Sequence, residues 1–165
     1  MAKAKSLNDL FYDTLKDIYY AERKILKTLP KMARASQSPE LKAAFEKHRM
    51  ETEGQVERLQ QVFEIIGKRP VGKTCDAIEG IVAEGEEIIE EYGGTPVVDA
   101  GLIAAAQAVE HYEITRYGTL KRWAELLGHD QAVALLDETL QEEGQTDRDL
   151  TLLADAGANE MATSA

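Results

Sequence analysis

The sequence predicts an all-α protein, an up-and-down bundle of four long helices with one additional short helix. Apolar residues recur every three to four positions through most of the 165 residues, and no stretch alternates as a β-strand would. Gly and Pro residues divide the chain into five such segments, of which four are long. The short segment lies in the connection between long helices two and three, which predicts a bundle with a long middle connection.

The first two segments form the N-terminal half of the predicted bundle. The first covers residues 6–35, with Ser6 as its N-cap and an acidic residue three positions later, as in a capping box. Pro30 is expected to kink or shorten this helix near its end. The second covers residues 39–66, because Ser38 is a good N-cap and a proline at the first helical position is favourable.

Three further segments complete the predicted helices. A short amphipathic helix covers residues 75–92, and its two glycines indicate an appended element rather than a member of the bundle. The next long helix covers residues 97–127 and ends at a glycine. The last covers residues 130–156, with Asp130 as its predicted N-cap.

Length and charge indicate one globular domain, residues 1–156, followed by a flexible C-terminal tail, residues 157–165. The formal net charge of -11 argues against nucleic acid or an anionic membrane as a partner. The sequence has neither a signal-peptide pattern nor an apolar run of about 20 residues, so we expect a cytoplasmic protein. Cys75 is the only cysteine, which excludes an intramolecular disulfide.

Polar side chains interrupt the apolar faces of the long helices. At about 100° per residue, Glu22 falls at the centre of the first face. His48 lies near the centre of the second face, and Glu51 lies at its edge. Glu110 is central on the third face, with Glu113 beside it. These residues are therefore expected to face the interior of the bundle.

The last long helix is ambiguous, because Glu142 and Glu143 straddle the edge and the centre of its apolar face. Either way, each long helix carries at least one inward or half-inward carboxylate. An unpaired buried carboxylate costs several kcal/mol, and the long helices offer few inward Lys or Arg residues to compensate for a cluster. A bound metal is the simplest solution, and carboxylate and imidazole ligands suit iron or manganese.

The sequence therefore predicts a metal site with the ligands Glu22, His48, Glu51, Glu110, Glu113 and Glu142. Known di-metal bundles use Glu-x-x-His motifs, whereas this chain has the reversed order His-x-x-Glu, so their geometry cannot be transferred. The alternative is a hydrogen-bonded network that fixes the helix register without metal. Four tyrosines near the same level could hydrogen-bond the carboxylates, relay an electron or simply pack: Tyr19, Tyr20, Tyr112 and Tyr117.

Four motifs carry a resemblance to a known family: DIYYAERKIL (17–26), H-x-x-E-T-x-x-Q (48–55), LIAAAQAVEHYEITRYGTL (102–120) and ETLQEEGQTDRDLT (138–151). Between about Leu7 and Ala156 the chain resembles the YciE/YciF family of bacterial ferritin-like stress proteins. The resemblance implies a ferritin-like bundle with an extra short helix and a homodimer. It also implies an iron or di-iron site to which all four long helices contribute.

Two functional hypotheses follow from these residues and from the resemblance. The first is a metal-binding protein of redox type, in which two metal ions react with oxygen, peroxide or ferrous iron. The second is a structural or interaction protein of the stress response whose polar cluster only holds the bundle together. Iron storage in a shell is disfavoured because the family looks dimeric. The sequence indicates no organic substrate, and it leaves open whether the protein is an enzyme.

Overall fold

The structure, a computed structural model, describes residues 4–165 as a helical protein, and that range contains no β-strand. The first three residues, part of the segment in which no signal peptide is predicted, lie outside the described residues. No helix in the described range is long and apolar enough to cross a membrane. The main helices are α1 (Leu7–Ala35), α2 (Pro39–Ile65), α3 (Asp76–Tyr92), α4 (Val98–Leu127) and α5 (Asp130–Leu153).

The four long helices α1, α2, α4 and α5 form the bundle. Helix α1 packs against α2 and α4, and α5 packs against the same two helices. The short helix α3 lies in the connection between α2 and α4 and packs on α4 and α1. The predicted four-helix bundle with an additional short helix is therefore confirmed.

The N-terminal helix ends show how local residues set the boundaries. Ser6 forms the predicted capping box, since the backbone N–H of Asp9 donates to the Ser6 hydroxyl and the Ser6 N–H donates to the Asp9 carboxylate. Helix α1 is not shortened by Pro30 and continues to Ala35. The lost backbone hydrogen bond is offset by packing, because Met32 is buried beyond the proline.

The C-terminal part of the chain differs from the prediction. Helix α5 begins at Asp130, but its N-cap is His129, so the predicted cap was wrong by one residue. The helix ends at Leu153 and continues into a π-helical turn, which contains Gly157 at a φ of 152° that favours glycine. A last short helix, α6 (Asn159–Thr163), follows. The flexibility of this segment in solution stays a prediction.

The two ends of the bundle are held by different contacts. Where α1 begins, the ring of Phe63 packs edge-on against Tyr12 and Tyr19. At the opposite end, the buried carboxylate of Asp99 accepts hydrogen bonds of 2.8 Å from the backbone N–H groups of Gln37 and Ser38. The middle turns of the long helices lie between these ends, and they carry the candidate site.

Candidate metal centre

Five ionisable side chains from all four long helices are buried in the middle of the bundle. Glu22 comes from α1, His48 from α2, Glu110 and Glu113 from α4, and Glu143 from α5. The four glutamates are 0% exposed and the histidine is 3% exposed. Each occupies a core-facing position of its helix, where a leucine or isoleucine would ordinarily be found.

Four of these side chains converge on one point. Ligand atoms of His48, Glu110, Glu113 and Glu143 all lie within 4.8 Å of one another. The His48 Nε2 atom is 3.2 Å from Glu110 Oε1, but the two groups are not aligned for a hydrogen bond. Glu22 adjoins this group, since its carboxyl interacts with those of Glu113 and Glu143. The cluster thus brings four carboxyl groups and one imidazole together.

Most polar side-chain atoms of this cluster have no hydrogen-bond partner in the protein. In the described part of the chain, every buried side-chain oxygen or nitrogen without a hydrogen bond belongs to Glu22, His48, Gln55, Glu110, Glu113 or Glu143. Both oxygens of Glu110, Glu113 and Glu143 are unpaired, as are both ring nitrogens of His48. Buried polar groups are nearly always satisfied in folded proteins, so this concentration in one place is typical of a site that binds a ligand.

Burial and mutual repulsion shift the protonation of these groups. Burial, reinforced by the Glu143 charge, raises the pKa of Glu22 to about 8. The same two causes raise the pKa of Glu110 and that of Glu113 well above the usual range. Burial also lowers the pKa of His48, so its imidazole is neutral and able to act as a ligand at neutral pH. A cation in the cluster would relieve both the burial cost and the repulsion.

Tyr117 is the one predicted tyrosine that contacts a carboxyl of the cluster. Its hydroxyl donates a hydrogen bond to Oε1 of Glu22, and the tyrosine is itself buried. The others have different partners. Tyr20 donates to Glu79, Tyr112 donates to Asp17, and Tyr19 accepts from Gln60. The phenol therefore orients one carboxyl group of the site.

A guanidinium lies at the edge of the cluster and not within it. Arg58 is paired with Glu142 and Glu138, and its Nε donates to the Thr139 hydroxyl at 3.0 Å. Gln55 also donates to Glu142, at 3.1 Å. No lysine or arginine is among the buried side chains of the described residues. The protein therefore supplies little positive charge to offset four buried carboxyl groups.

The structure brings together four of the predicted residues and separates two from them. Glu22, His48, Glu110 and Glu113 share the interior. The Glu51 side chain is 23% exposed at the α2–α5 seam, where Lys47 lies 3.6 Å away. The Glu142 side chain is 27% exposed, and the Arg58 pair holds it at the edge. Metal binding by any of them stays a prediction.

Glu143 takes the inward position for which Glu142 was chosen. One residue corresponds to a rotation of about 100°, so a small error in the helical phase exchanges an edge position for a central one. The spacing of the residues buried in α5 is the signal that identifies Glu143 as inward. These residues follow one another at intervals of three, four or seven positions: Ala132, Leu136, Thr139, Glu143 and Leu150. Leu135 and Leu153, which are only partly buried, suggested the other phase.

The donor set fits a hard or borderline metal ion. Carboxylate oxygens and a neutral imidazole nitrogen are the ligands of iron and manganese sites in helical bundles. Carboxylate oxygens and an imidazole nitrogen are both present in this cluster, and the unpaired atoms lie on helices whose backbones are fixed by packing. The residues therefore fit the group that the sequence predicts.

Fold and site together define a ferritin-like four-helix bundle with a buried carboxylate–histidine cluster. Comparison with known proteins identifies the family. Residues 6–163 match a family described as a domain of unknown function, DUF892, and the chain belongs to this family.

Individual relatives confirm the predicted YciE/YciF relationship. The chain is 46% identical to protein YciF of Escherichia coli K12 over 159 residues, which cover 96% of each chain. The crystal structure of YciF, which is described as an E. coli stress protein, matches 94% of this chain and 99% of its own with a TM-score of 0.90. YcfI of Rhodopseudomonas palustris, for which a structural role has been suggested, is 45% identical, with a TM-score of 0.87 over 91% of this chain and 96% of its own. A Xanthomonas campestris protein at 22% identity and a TM-score of 0.71 shares the fold.

Proposed function

We propose that this protein binds two iron ions in the buried cluster and that it reacts there with oxygen, peroxide or ferrous iron. One observation carries the proposal: the unpaired buried polar atoms of the described residues are all concentrated in this cluster and beside it. Glu22, His48, Glu110, Glu113 and Glu143 would hold the metal, with manganese as the second candidate. Bound iron would supply one-electron redox chemistry at the site.

The charge of the cluster favours two ions over one. Four ionised carboxylates carry four negative charges, which two divalent cations would neutralise. Both oxygens of Glu110, Glu113 and Glu143 are unpaired, so each of these carboxyls has a free oxygen left after ligating one ion. These carboxyls, with the His48 imidazole, would hold the metal, as Glu and His side chains do in di-metal helical bundles. Tyr117 would keep the Glu22 carboxyl in one orientation.

A stress-related role comes from the relatives, since YciF is described as a stress protein. The suggested structural role of the R. palustris relative favours a second candidate, in which the metal or the polar network only stabilises the bundle. Ferrous-oxidation and peroxide-consumption assays on the iron-loaded protein would separate the two candidates, because a purely structural ion accelerates neither reaction. We also propose, from the family resemblance, that the protein is a cytoplasmic homodimer.

Metal analysis with a matched pair of variants tests the site itself. The protein is purified without chelator, loaded anaerobically with ferrous iron, and its bound metal is counted. Glu143→Gln removes a charge from the cluster and is expected to weaken binding by about tenfold or more, by analogy with the loss of groups that support a metal site. Glu142→Gln, one residue away and paired with Arg58, should bind as the wild type does. Sub-stoichiometric metal in the wild type, unchanged by Glu143→Gln, would refute the proposal.

A further inference from the structure

A narrow cleft between α2 and α5 reaches inward from the surface as far as His48 of the candidate metal centre. Its volume is only about 20 Å³, and its lining combines the polar or charged side chains of His48, Glu51, Lys47, Thr146 and Asp149 with the apolar ones of Ala44, Phe45 and Leu150. Lys47 and Asp149 are well exposed, with side chains 55% and 39% accessible, so they mark the mouth of the cleft. His48, which is almost fully buried, lines the same cleft from the inside.

We propose that Glu51 and Asp149 form a transient binding site for a divalent cation at this mouth, from which the metal passes to His48. The inference rests on the proposed function, because it assumes that the buried cluster takes up metal. It also assigns Glu51 a role different from the ligand role expected from the sequence. Glu51 lies one helical turn after His48, on the surface side of the same helix face.

The mouth is acidic and only loosely closed. The Lys47 ammonium lies 3.6 Å from a carboxylate oxygen of Glu51 and 3.6 Å from one of Asp149. Exposed ion pairs of this kind are weak, so an arriving divalent cation can displace the ammonium. The Thr146 hydroxyl donates to the other Glu51 oxygen at 3.2 Å, which keeps that carboxylate at the seam.

The unpaired imidazole of His48 provides the next ligand for a cation that enters at the mouth of the cleft. Both ring nitrogens of His48 lack hydrogen bonds although the residue is 3% exposed. A ring nitrogen without a hydrogen bond can offer its lone pair to a cation, as histidine ligands of metals do. A cation held by Glu51 would therefore meet a ligand of the buried cluster as the next group inward.

Two other approaches to the cluster suit a cation less well. The cleft between α1, α3 and α4 also reaches His48, but its walls are mainly aliphatic side chains such as Ile25, Met32 and Val82, and a hydrated cation gains nothing there. Further along the α2–α5 seam stands Arg58, whose guanidinium is 13% exposed and fixed by its carboxylate partners. The Arg58 guanidinium is largely buried and held by its partners, whereas the Lys47 ammonium is exposed and loosely paired, so the Lys47 end is the more favourable route.

The kinetics of Co²⁺ uptake by the metal-free, full-length protein test this route. The visible absorbance of bound Co²⁺ reports both the loading rate and the final stoichiometry. Glu51→Gln combined with Asp149→Asn should slow loading by about tenfold, in line with the effect of local charge on association rates, while the stoichiometry stays at the wild-type value. Lys47→Gln should accelerate loading. Glu53→Gln, an exposed carboxylate on the same helix that pairs with Arg49, is the matched control and should load at the wild-type rate.

The outcomes separate this inference from the proposed function. Wild-type stoichiometry tests the buried site, whereas the rates of the variants test the route. Loading of the double variant at the wild-type rate overturns the route even if the site is real. A lower stoichiometry in the double variant also overturns it, because Glu51 or Asp149 would then be a ligand of the final site. A wild-type protein that takes up no Co²⁺ overturns both proposals.

Discussion

At the scale of single residues, the four buried carboxyl groups are not equivalent. Glu22 has a hydrogen-bond donor in Tyr117, whereas both oxygens of Glu110, Glu113 and Glu143 lack partners. The Tyr117 bond lowers the pKa of Glu22 against the larger effects of burial and the Glu143 charge, which raise it. One member of the cluster is therefore oriented by the protein, and the other three are available to a ligand.

Replacing Tyr117 by phenylalanine tests the orienting bond. Tyr117→Phe leaves Glu22 Oε1 buried without its donor, so the metal-free protein should lose about 1–3 kcal/mol of unfolding free energy, measured by urea denaturation. Tyr20→Phe is the control, because Tyr20 donates to the half-exposed Glu79 and water can replace its hydroxyl. Its loss should stay below about 1 kcal/mol. Equal losses for the two variants would contradict the importance of the buried bond.

Helical phase was sufficient to predict most of the buried polar residues. Glu22 and His48 lie close to the centre of clear apolar faces, so small errors of phase left them inside. Glu143 was missed because α5 has partly buried leucines on two neighbouring faces, and these shift the apparent centre by one residue. The side-chain positions of Glu51 and Glu142 depend on Lys47 and Arg58, and pairing of this kind has no signature in helical periodicity.

At the scale of helices, the contact between α3 and α4 depends on a glycine. A Cβ atom added at Gly101 of α4 would lie 2.6 Å from Cγ2 of Ile88 on α3, too close for two carbon atoms. Ile88 is β-branched and stiff, so the two helices would have to move apart. The absence of a side chain at this position therefore lets the short helix pack directly on the bundle.

Two glycine replacements in the same helix should have opposite effects. Gly101→Ala should destabilise the protein by about 1–3 kcal/mol, because overpacking outweighs the gain in helix propensity. A Cβ at Gly118, also in α4, meets nothing within 4 Å, so Gly118→Ala should stabilise by about 0.5–1 kcal/mol. Urea denaturation of both variants measures the difference. A stabilised Gly101→Ala variant would show that α3 adapts without cost.

Helix boundaries were predictable where local residues set them. Ser6 and Ser38 cap α1 and α2 through their own hydroxyl groups, as expected from their sequence context. The start of α5 has no side-chain cap, so its first residue could not be read from capping chemistry. The survival of α1 beyond Pro30 depends on burial against other helices, which a local pattern does not contain.

At the scale of the whole molecule, the buried cluster makes the stability of the bundle depend on pH and metal together. Burial gives Glu22 a pKa of about 8 in the folded protein, against 4.5 for an ordinary glutamate, and raises those of Glu110 and Glu113 as well. Between the unfolded and folded pKa values of these glutamates, the folded state binds more protons than the unfolded state. The metal-free protein should therefore lose stability as the pH rises.

His48 acts in the opposite direction, but only at lower pH. Its pKa is lowered from 6.5, so the unfolded state binds the extra proton, and this contribution to stability grows as the pH rises to about 6.5. Above that value only the carboxyl groups contribute. The loss of stability should therefore be steepest between about pH 6.5 and 8, at roughly 1.4 kcal/mol per pH unit for each carboxyl that remains protonated in the folded protein alone.

Metal should remove this dependence, because it favours the ionised carboxylates and releases their protons. We expect chelator-treated protein to show a falling melting temperature from pH 6.5 to 8, and metal-loaded protein to show a constant or rising one. The metal-free Glu110→Gln variant is the control, since it lacks one titrating group and should lose stability less steeply. A metal-free wild type that gains stability over this range would contradict the raised pKa values. Equal curves with and without metal would show that these carboxyl groups do not bind it.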